Sequence, residues 1–441
     1  MQPIGPPSTV QSAPERLLPS LDTGLPSVAR FQFRPRVTLS TEYTDNFNLT
    51  ERDKESNFRS AVAPGIDIGI NTALTKGLIA YTFTPAYDTA NEEFTFFHSL
   101  LGRVVWQANP RWELTVADTL TRSDQPADAD RLGLRQERRT FTTNTFALSS
   151  VYRIGLVQTQ QSYNLMMFTD DSGADTLTHL VGASAVVPIT QLNSLSAGYE
   201  YLRSDSELGS DTTFQGQSLG VAGDESSIRG HEFTLGASRQ FSTFNSGGLK
   251  ASYALRNATD AIGDTDFQLW NFSAFVRYAL PNRLTINASL GVSGIMSDIE
   301  DHIGPNLFSA TSVSYFFGPA VVSVAFDSGY SETFATGQNF GVVETQVVTG
   351  SFGYSFTPTL HGTISGAYRH TEPTGIGNQS VTTDTETLSG SVALTWRFQR
   401  RLVLDLNYTH LEQISGAPSL GRGSDGSYSE NRVRAALSVL Y

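Results

Sequence analysis

Seven basic side chains fall within a few residues of a short turn or of the start of the patterned region: Arg34, Arg36, Arg103, Arg153, Lys250, Arg277 and Arg397. Cations gathered in this way do binding chemistry rather than bond-breaking chemistry. They concentrate anions, or they brace a wall through carboxylates and backbone carbonyls, and both readings stand. Only two carboxylates, Glu113 and Asp405, are read near the same turns. Other chemistry has little to build on. No GxxxxGK phosphate loop occurs. His98, His179, His231, His302, His361, His370 and His410 are scattered, with no pair at metal-ligand spacing, and read as wall or interface residues. Asp124, Asp128 and Asp130 offer hard oxygens of the kind Ca²⁺ takes, but Arg131, Arg135, Arg138 and Arg139 beside them favour a solvated acidic loop. The expectation is a protein that is not an enzyme, with no metal and no cofactor.

The elements that must position the seven cations are strands. From Arg30 to the end one unit recurs: ten to fifteen residues alternating apolar with small or polar ones, then a turn. Phe31, Phe33, Val37, Leu39 and Tyr43 share one face, and Gln32, Arg34, Arg36, Thr38, Ser40 and Glu42 the other. Only a two-residue period gives this. Short connections such as 109–111, 153–155, 280–283, 317–320 and 399–401 alternate with long polar ones at 123–139, 204–229 and 414–430. That is a meander with its tight turns on one side. The count is about twenty strands, or eighteen, because 90–100 and 305–320 are weakly patterned. Pro35, Pro64 and Pro85 fall inside the first three strands, where each removes a ladder donor, and bulges are expected there.

Composition agrees with strands. The chain has 441 residues, no cysteine, Gly 38, Phe 27 and Tyr 16 against Met 4. At 39% hydrophobic it holds no run near the roughly 20 apolar residues a spanning helix needs. A net charge of −13 argues against nucleic acid as a partner. Residues 1–29 lack the apolar core of a signal peptide and read as a flexible Pro-rich leader, left after removal of an export signal.

A soluble sandwich would carry charge on its outer face. Here the faces that are not apolar are rich in Ser, Thr, Gly, Ala, Asn and Gln, as a transmembrane barrel requires. The expected fold is all-β: a single antiparallel up-and-down barrel over 30–441 in the bacterial outer membrane, with short periplasmic turns and longer extracellular loops. Trp106, Trp112, Tyr278 and Trp396 stand next to short turns and are expected at the lipid interface. Val433, Leu437, Val439 and Tyr441 give the last strand a lipid face and are expected to close the barrel against the first. A terminal aromatic also resembles the signal by which such barrels are recognised for insertion, where Phe is usual and Tyr a variant. With the apolar faces outward, the seven cations point into the lumen near the periplasmic mouth, at one level.

Glu42-Tyr43-Thr44-Asp45-Asn46, Leu49-Thr50, Ser56-Asn57-Phe58 and Ala63-Pro64-Gly65 resemble the first hairpin of the type 2 β-barrel porins. That resemblance implies an outer-membrane barrel tied to exopolysaccharide and PEP-CTERM systems, and no catalytic residues. It also implies passive passage of exopolysaccharide, with outer-membrane lipid and periplasmic polysaccharide-export components as partners. A general diffusion porin, or a surface barrel whose loops serve adhesion or docking, are the alternatives.

Overall fold

The computed structural model describes residues 30–125, 138–171, 173–207, 213–214, 217–218, 225–260, 263–298, 303–332, 341–374, 376, 384–415 and 427–441. The expected leader 1–29, Asp128, Asp130 and His302 lie outside them. The strands are β1 (Phe31–Thr44), β2 (Asn57–Asn71), β3 (Thr75–Asp88), β4 (Glu93–Asn109), β5 (Trp112–Ser123), β6 (Phe141–Ile154), β7 (Val157–Asp170), β8 (Asp175–Pro188), β9 (Asn193–Glu207), β10 (Thr213–Phe214) and β11 (Gln217–Ser218). They continue as β12 (Glu225–Gln240), β13 (Asn245–Asp260), β14 (Gly263–Leu280), β15 (Leu284–Ser297), β16 (Ile303–Phe317), β17 (Ala320–Glu332), β18 (Val342–Thr357), β19 (Leu360–Pro373), β20 (Thr385–Gln399), β21 (Leu402–Ser415) and β22 (Tyr428–Leu440).

All but β10 and β11 join one 20-stranded antiparallel sheet. Each strand pairs with the next, β9 with β12, and β22 returns to β1 from Arg36↔Leu440 to Thr44↔Arg432. The sheet is therefore closed and has no free edge, which is what a strand needs where no water can satisfy its backbone. Tyr441 lies just past β22, and its N–H still donates to the Pro35 carbonyl at 3.1 Å.

The weakly patterned stretches are full strands, β4 and β16. The turns stay tight at one end: Gly155 and Gly318 supply positive φ (59° and 60°) between β6 and β7 and between β16 and β17. Both ends of the barrel chain, β1's start and β22's end, lie at this turn end. At the opposite, loop end the strands outrun expectation, since β9 continues to Glu207 and β12 begins at Glu225, so the long connection shrinks to 208–224.

The prolines are not accommodated by bulges. β1 and β2 stay in continuous register through Pro35↔Ile66 and Val37↔Pro64. Between β2 and β3 the pairing lapses from Ala61↔Ala86 to Gly65↔Thr82 with the register unchanged. The missing donors are absorbed by leaving pairs unmade, so no extra residue is needed. Register shifts occur instead at Gln107/Asn109, Ser293/Ile295, Ser355/Thr357 and Arg397/Gln399, three of them beside tight turns.

Alternation decides which side meets lipid. Phe31, Phe33, Leu39, Leu235, Phe272, Leu290 and Val433 all face outward with half or more of their surface exposed. An even number of antiparallel strands, an apolar outer band and aromatic rims make this a barrel of the bacterial outer membrane.

Candidate functional site: the lumen

Register and alternation put Arg34, Arg36, Arg103, Arg153, Lys250, Arg277 and Arg397 on the inner face. They are spread along the strands rather than set at one level. Arg153, Arg277 and Arg397 lie within three residues of the turn end of their strands, and the other four lie three to six residues in. At ~3.3 Å per residue that is a spread of more than 10 Å along the strands.

Their partners differ as well. Arg36 lies 3.4 Å from Asp67, an inward carboxylate additional to Glu113 and Asp405, and donates to Thr82 Oγ1 at 2.6 Å. Arg34 donates to Gln32 Oε1. Asp405 accepts from Thr395 at 2.7 Å. Among the described residues, ion pairs are made by Arg36, Arg59, Arg138, Arg203, Arg256 and His370, and none by Arg103, Arg153, Arg277 or Arg397. Arg277 lies 6.0 Å from the Phe275 ring. The same alternation turns Lys76 and Arg434 inward, which the sequence pattern alone would have shown.

The loop end is different. Arg59 of β2 grips Asp88 of β3 at 2.8 and 2.9 Å and Asp124, just past β5, at 3.0 and 2.5 Å. Arg138, at the far end of the same β5–β6 connection, lies 3.7 Å from Asp124 and donates to Glu430 of β22 at 2.8 Å. Glu430 also accepts from Thr44 at 2.7 Å, and Arg432 donates to Gln125. The two guanidinium groups sit over Phe97 and Phe47 at 5.0 and 4.9 Å. Both described ends of the connection are thus tied to the wall of β22, β1, β2 and β3. Asp124, expected in a solvated acidic loop, is instead only 6% exposed. Burial pushes its carboxyl up, but the bonds and charge of Arg59, with Arg138, outweigh that and hold it below the ordinary carboxylate range.

Across the lumen a second cluster reaches inward. Arg256 of β13 pairs with Glu332 at the end of β17 at 2.9 Å and with Glu232 of β12 at 3.4 Å. Leu202, Ile228, Phe267 and Ile295, inward on β9, β12, β14 and β15, are buried in one apolar cluster with Val342 and Ile376. Val342 and Ile376 come from the β17–β18 and β19–β20 side, and Val342 N–H bonds the Ile376 carbonyl at 2.9 Å. Sequence reasoning missed these residues. An arginine and its carboxylate 292 positions away leave no local signal.

Trp106, Trp112, Tyr278 and Trp396 face outward at the turn end; Trp106 and Trp112 rings lie 6.2 Å apart and Trp112 Nε1 donates to Ser150 at 3.1 Å. Val433, Leu437 and Val439 face outward opposite Tyr43, Leu39 and Val37, and Tyr441 is exposed beyond them. Gly216-Gln217-Ser218-Leu219-Gly220 has the GxSxG spacing. Ser218 sits in the two-residue hairpin β10–β11 rather than in the strand–turn–helix context that exposes a nucleophile. Among the described residues no cluster of His, Cys, Asp and Glu could hold a metal ion.

No family model matches the sequence, and no curated protein matches it either. Solved structures similar in shape include the siderophore receptor PirA from Acinetobacter baumannii, with a TM-score of 0.48, 10% identity, and coverage of 92% of this chain and 80% of that one. OpdQ from Pseudomonas aeruginosa gives 0.39, 9% identity and coverage of 93% and 99%. OccAB3 from Acinetobacter baumannii gives 0.39, 10%, 93% and 100%. At these scores they bear on nothing that passes through this barrel. What the geometry itself provides is an inner wall with arginines that make no ion pair among the described residues at one mouth and ion-paired side chains reaching inward at the other.

Proposed function

We propose that the protein is a passive outer-membrane channel with a preference for anions, entered from the turn end. The observation that carries this reading is the set of four inward arginines, Arg103, Arg153, Arg277 and Arg397, without a carboxylate partner among the described residues. A cation held in a low-dielectric wall raises the local concentration of anions. A bracing arginine would sit against a carboxylate, as Arg36 does against Asp67. Nothing in the chain resembles a nucleotide site, so transport follows the gradient.

The finer reading is passage of an acidic exopolysaccharide delivered by periplasmic export components. It is supported by the resemblance of residues 42–65 to the type 2 porins and by the cationic mouth. The loop-end contacts argue against a wide general diffusion pore. Planar-bilayer recordings under a salt gradient test the channel. The expected reversal potential shows anion preference that fades at high salt, and a polyuronate added from the turn side blocks the current. Cation preference, or no conductance, would overturn the reading.

A further inference from the structure

The outer wall carries a row that does not belong to a lipid-facing surface. On β8, β9 and β12 the outward side chains can be followed across three strands by register. The middle rows are apolar, for example Ala185–Ala197–Leu235. Three steps toward the loop end, the row is His179–Arg203–Arg229. Toward the turn end the apolar rows stop at Asn193 opposite Arg239. From Arg203 to Asn193 is ten residues, about 33 Å of strand and about 25 Å of height at a tilt near 40°. That is the height of the apolar band of such barrels, so the cation row stands where the outer-leaflet headgroups begin.

The row is not self-sufficient. Like charges directly opposite each other destabilise a sheet, yet Arg203 and Arg229 are register partners. Arg203 has one half-exposed carboxylate, Asp205 at 2.9 Å, and Arg229 has no ion pair among the described residues. Two imidazoles flank them, each oriented by a tyrosine: Tyr163 Oη meets His179 Nδ1 at 3.0 Å and Tyr199 Oη meets His231 Nδ1 at 2.8 Å. Each histidine keeps Nε2 for another partner. The opposite wall at its loop end is acidic, with Glu344 opposite Glu372 and Glu386 beside His370. On the near wall the same row runs on through Asn257 to Asp266, and two rows further toward the loop end Asp175 stands opposite Glu207, so the cationic character is confined to His179, Arg203, Arg229 and His231 and is bounded by carboxylates.

We propose that His179, Arg203, Arg229 and His231 bind the phosphate of a phosphorylated lipid headgroup in the outer leaflet. Arginine takes phosphate oxygens through paired N–H donors, and each arginine at a membrane surface adds an attraction comparable to that measured for basic segments on anionic lipid. The apolar rows directly below give the acyl chains of the same molecule their surface. A soluble anion would use only the headgroup half of this arrangement.

The test uses the full chain in nanodiscs of phosphatidylcholine containing either lipid A with both phosphates or the same lipid with the phosphates removed. Native mass spectrometry counts the lipid retained on each barrel. The wild type should retain the phosphorylated form and not the other, and inorganic phosphate should fail to displace it. Arg203→Gln with Arg229→Gln should weaken retention roughly thirtyfold, while Arg239→Gln, at the turn end, should not change it. Retention of both lipids alike, displacement by equimolar inorganic phosphate, or equal retention by the double variant would each overturn the proposal. The two-lipid comparison needs only wild-type protein, so it decides the matter even where a variant folds poorly.

Discussion

At the turn end of the lumen Arg103, Arg153, Arg277 and Arg397 face inward and make no ion pair among the described residues. At the loop end Arg59, Arg138 and Arg256 hold the carboxylates of Asp88, Asp124, Glu430 and Glu332, some of them far round the barrel. The residue type is the same and the consequence is opposite. A paired, dehydrated arginine fixes two elements against each other, and its charge is neutralised locally. An arginine left facing water keeps its field, and that field reaches a passing ion. In the channel reading proposed above, mechanical and electrostatic duties are thus separated along the axis.

The harshest way to break the comparison is to remove the seam both ends depend on. Deleting 433–441 takes away most of the strand that pairs with β1 from Arg36 to Thr44. It leaves two open edges in hydrocarbon, each unsatisfied backbone group costing several kcal/mol. No heat-modifiable, folded band should then appear on a gel, and the protein should not reach the outer-membrane fraction. A normally inserted truncation would mean that closure is not what holds the barrel.

Next comes the loop end alone. Arg59→Ala takes from Asp88 its arginine and leaves Asp124 only Arg138 at 3.7 Å, while both carboxylates stay buried. Breaking a buried pair in this way costs about 3–5 kcal/mol, so denaturant unfolding of the folded barrel should shift by that amount. The turn-end set Arg103→Ser, Arg153→Ser, Arg277→Ser and Arg397→Ser should behave in the opposite sense. Each change should lie within about 0.5 kcal/mol in stability, as for unpaired surface positions, but the reversal potential under a salt gradient should lose its anion bias. Equal selectivity of the two proteins would make these arginines wall residues like Arg36, and the contrast between the ends would collapse.

How much of this was legible beforehand depends on the range of the forces involved. Alternation is local, so the faces of β1, the turn-end position of Trp396 and the inward direction of all seven cations could be read directly. β4 and β16 blurred because their faces are mixed. Phe97 and Leu101 point into the lumen on β4, and Ser309 and Thr311 point outward on β16. The spread of the cations along the strands follows from where each strand meets its turn, which needs exact strand ends. The Arg138–Glu430 tie was out of reach, because it depends on how the β5–β6 connection lies over the wall, and nothing in the neighbourhood of either residue encodes that path. Asp124 shows the same limit. Four arginines follow it in the sequence, and the pattern suggests a solvated loop, whereas Arg59 from β2 makes it a buried anchor.

The smallest effect expected is the pH response of that anchor. Asp124 is held below its ordinary pKa by Arg59 and Arg138. A carboxyl with a depressed folded-state pKa contributes stability that is fully present above the unfolded value, near 3.9, and is lost only as pH falls through the lower folded value. The tie between the β5–β6 connection and the wall should therefore be unchanged from pH 7 to about pH 4.5 and weaken only in stronger acid. Single-channel conductance of the wild type should stay flat across the first interval and become noisier below it. Asp124→Asn removes the charge at every pH and should show the noisy behaviour already at pH 7. If wild-type conductance instead changed between pH 7 and pH 5, a group with an ordinary or raised pKa would be controlling the path, and the loop-end lock would have to be sought around Arg256 and Glu332 on the opposite wall.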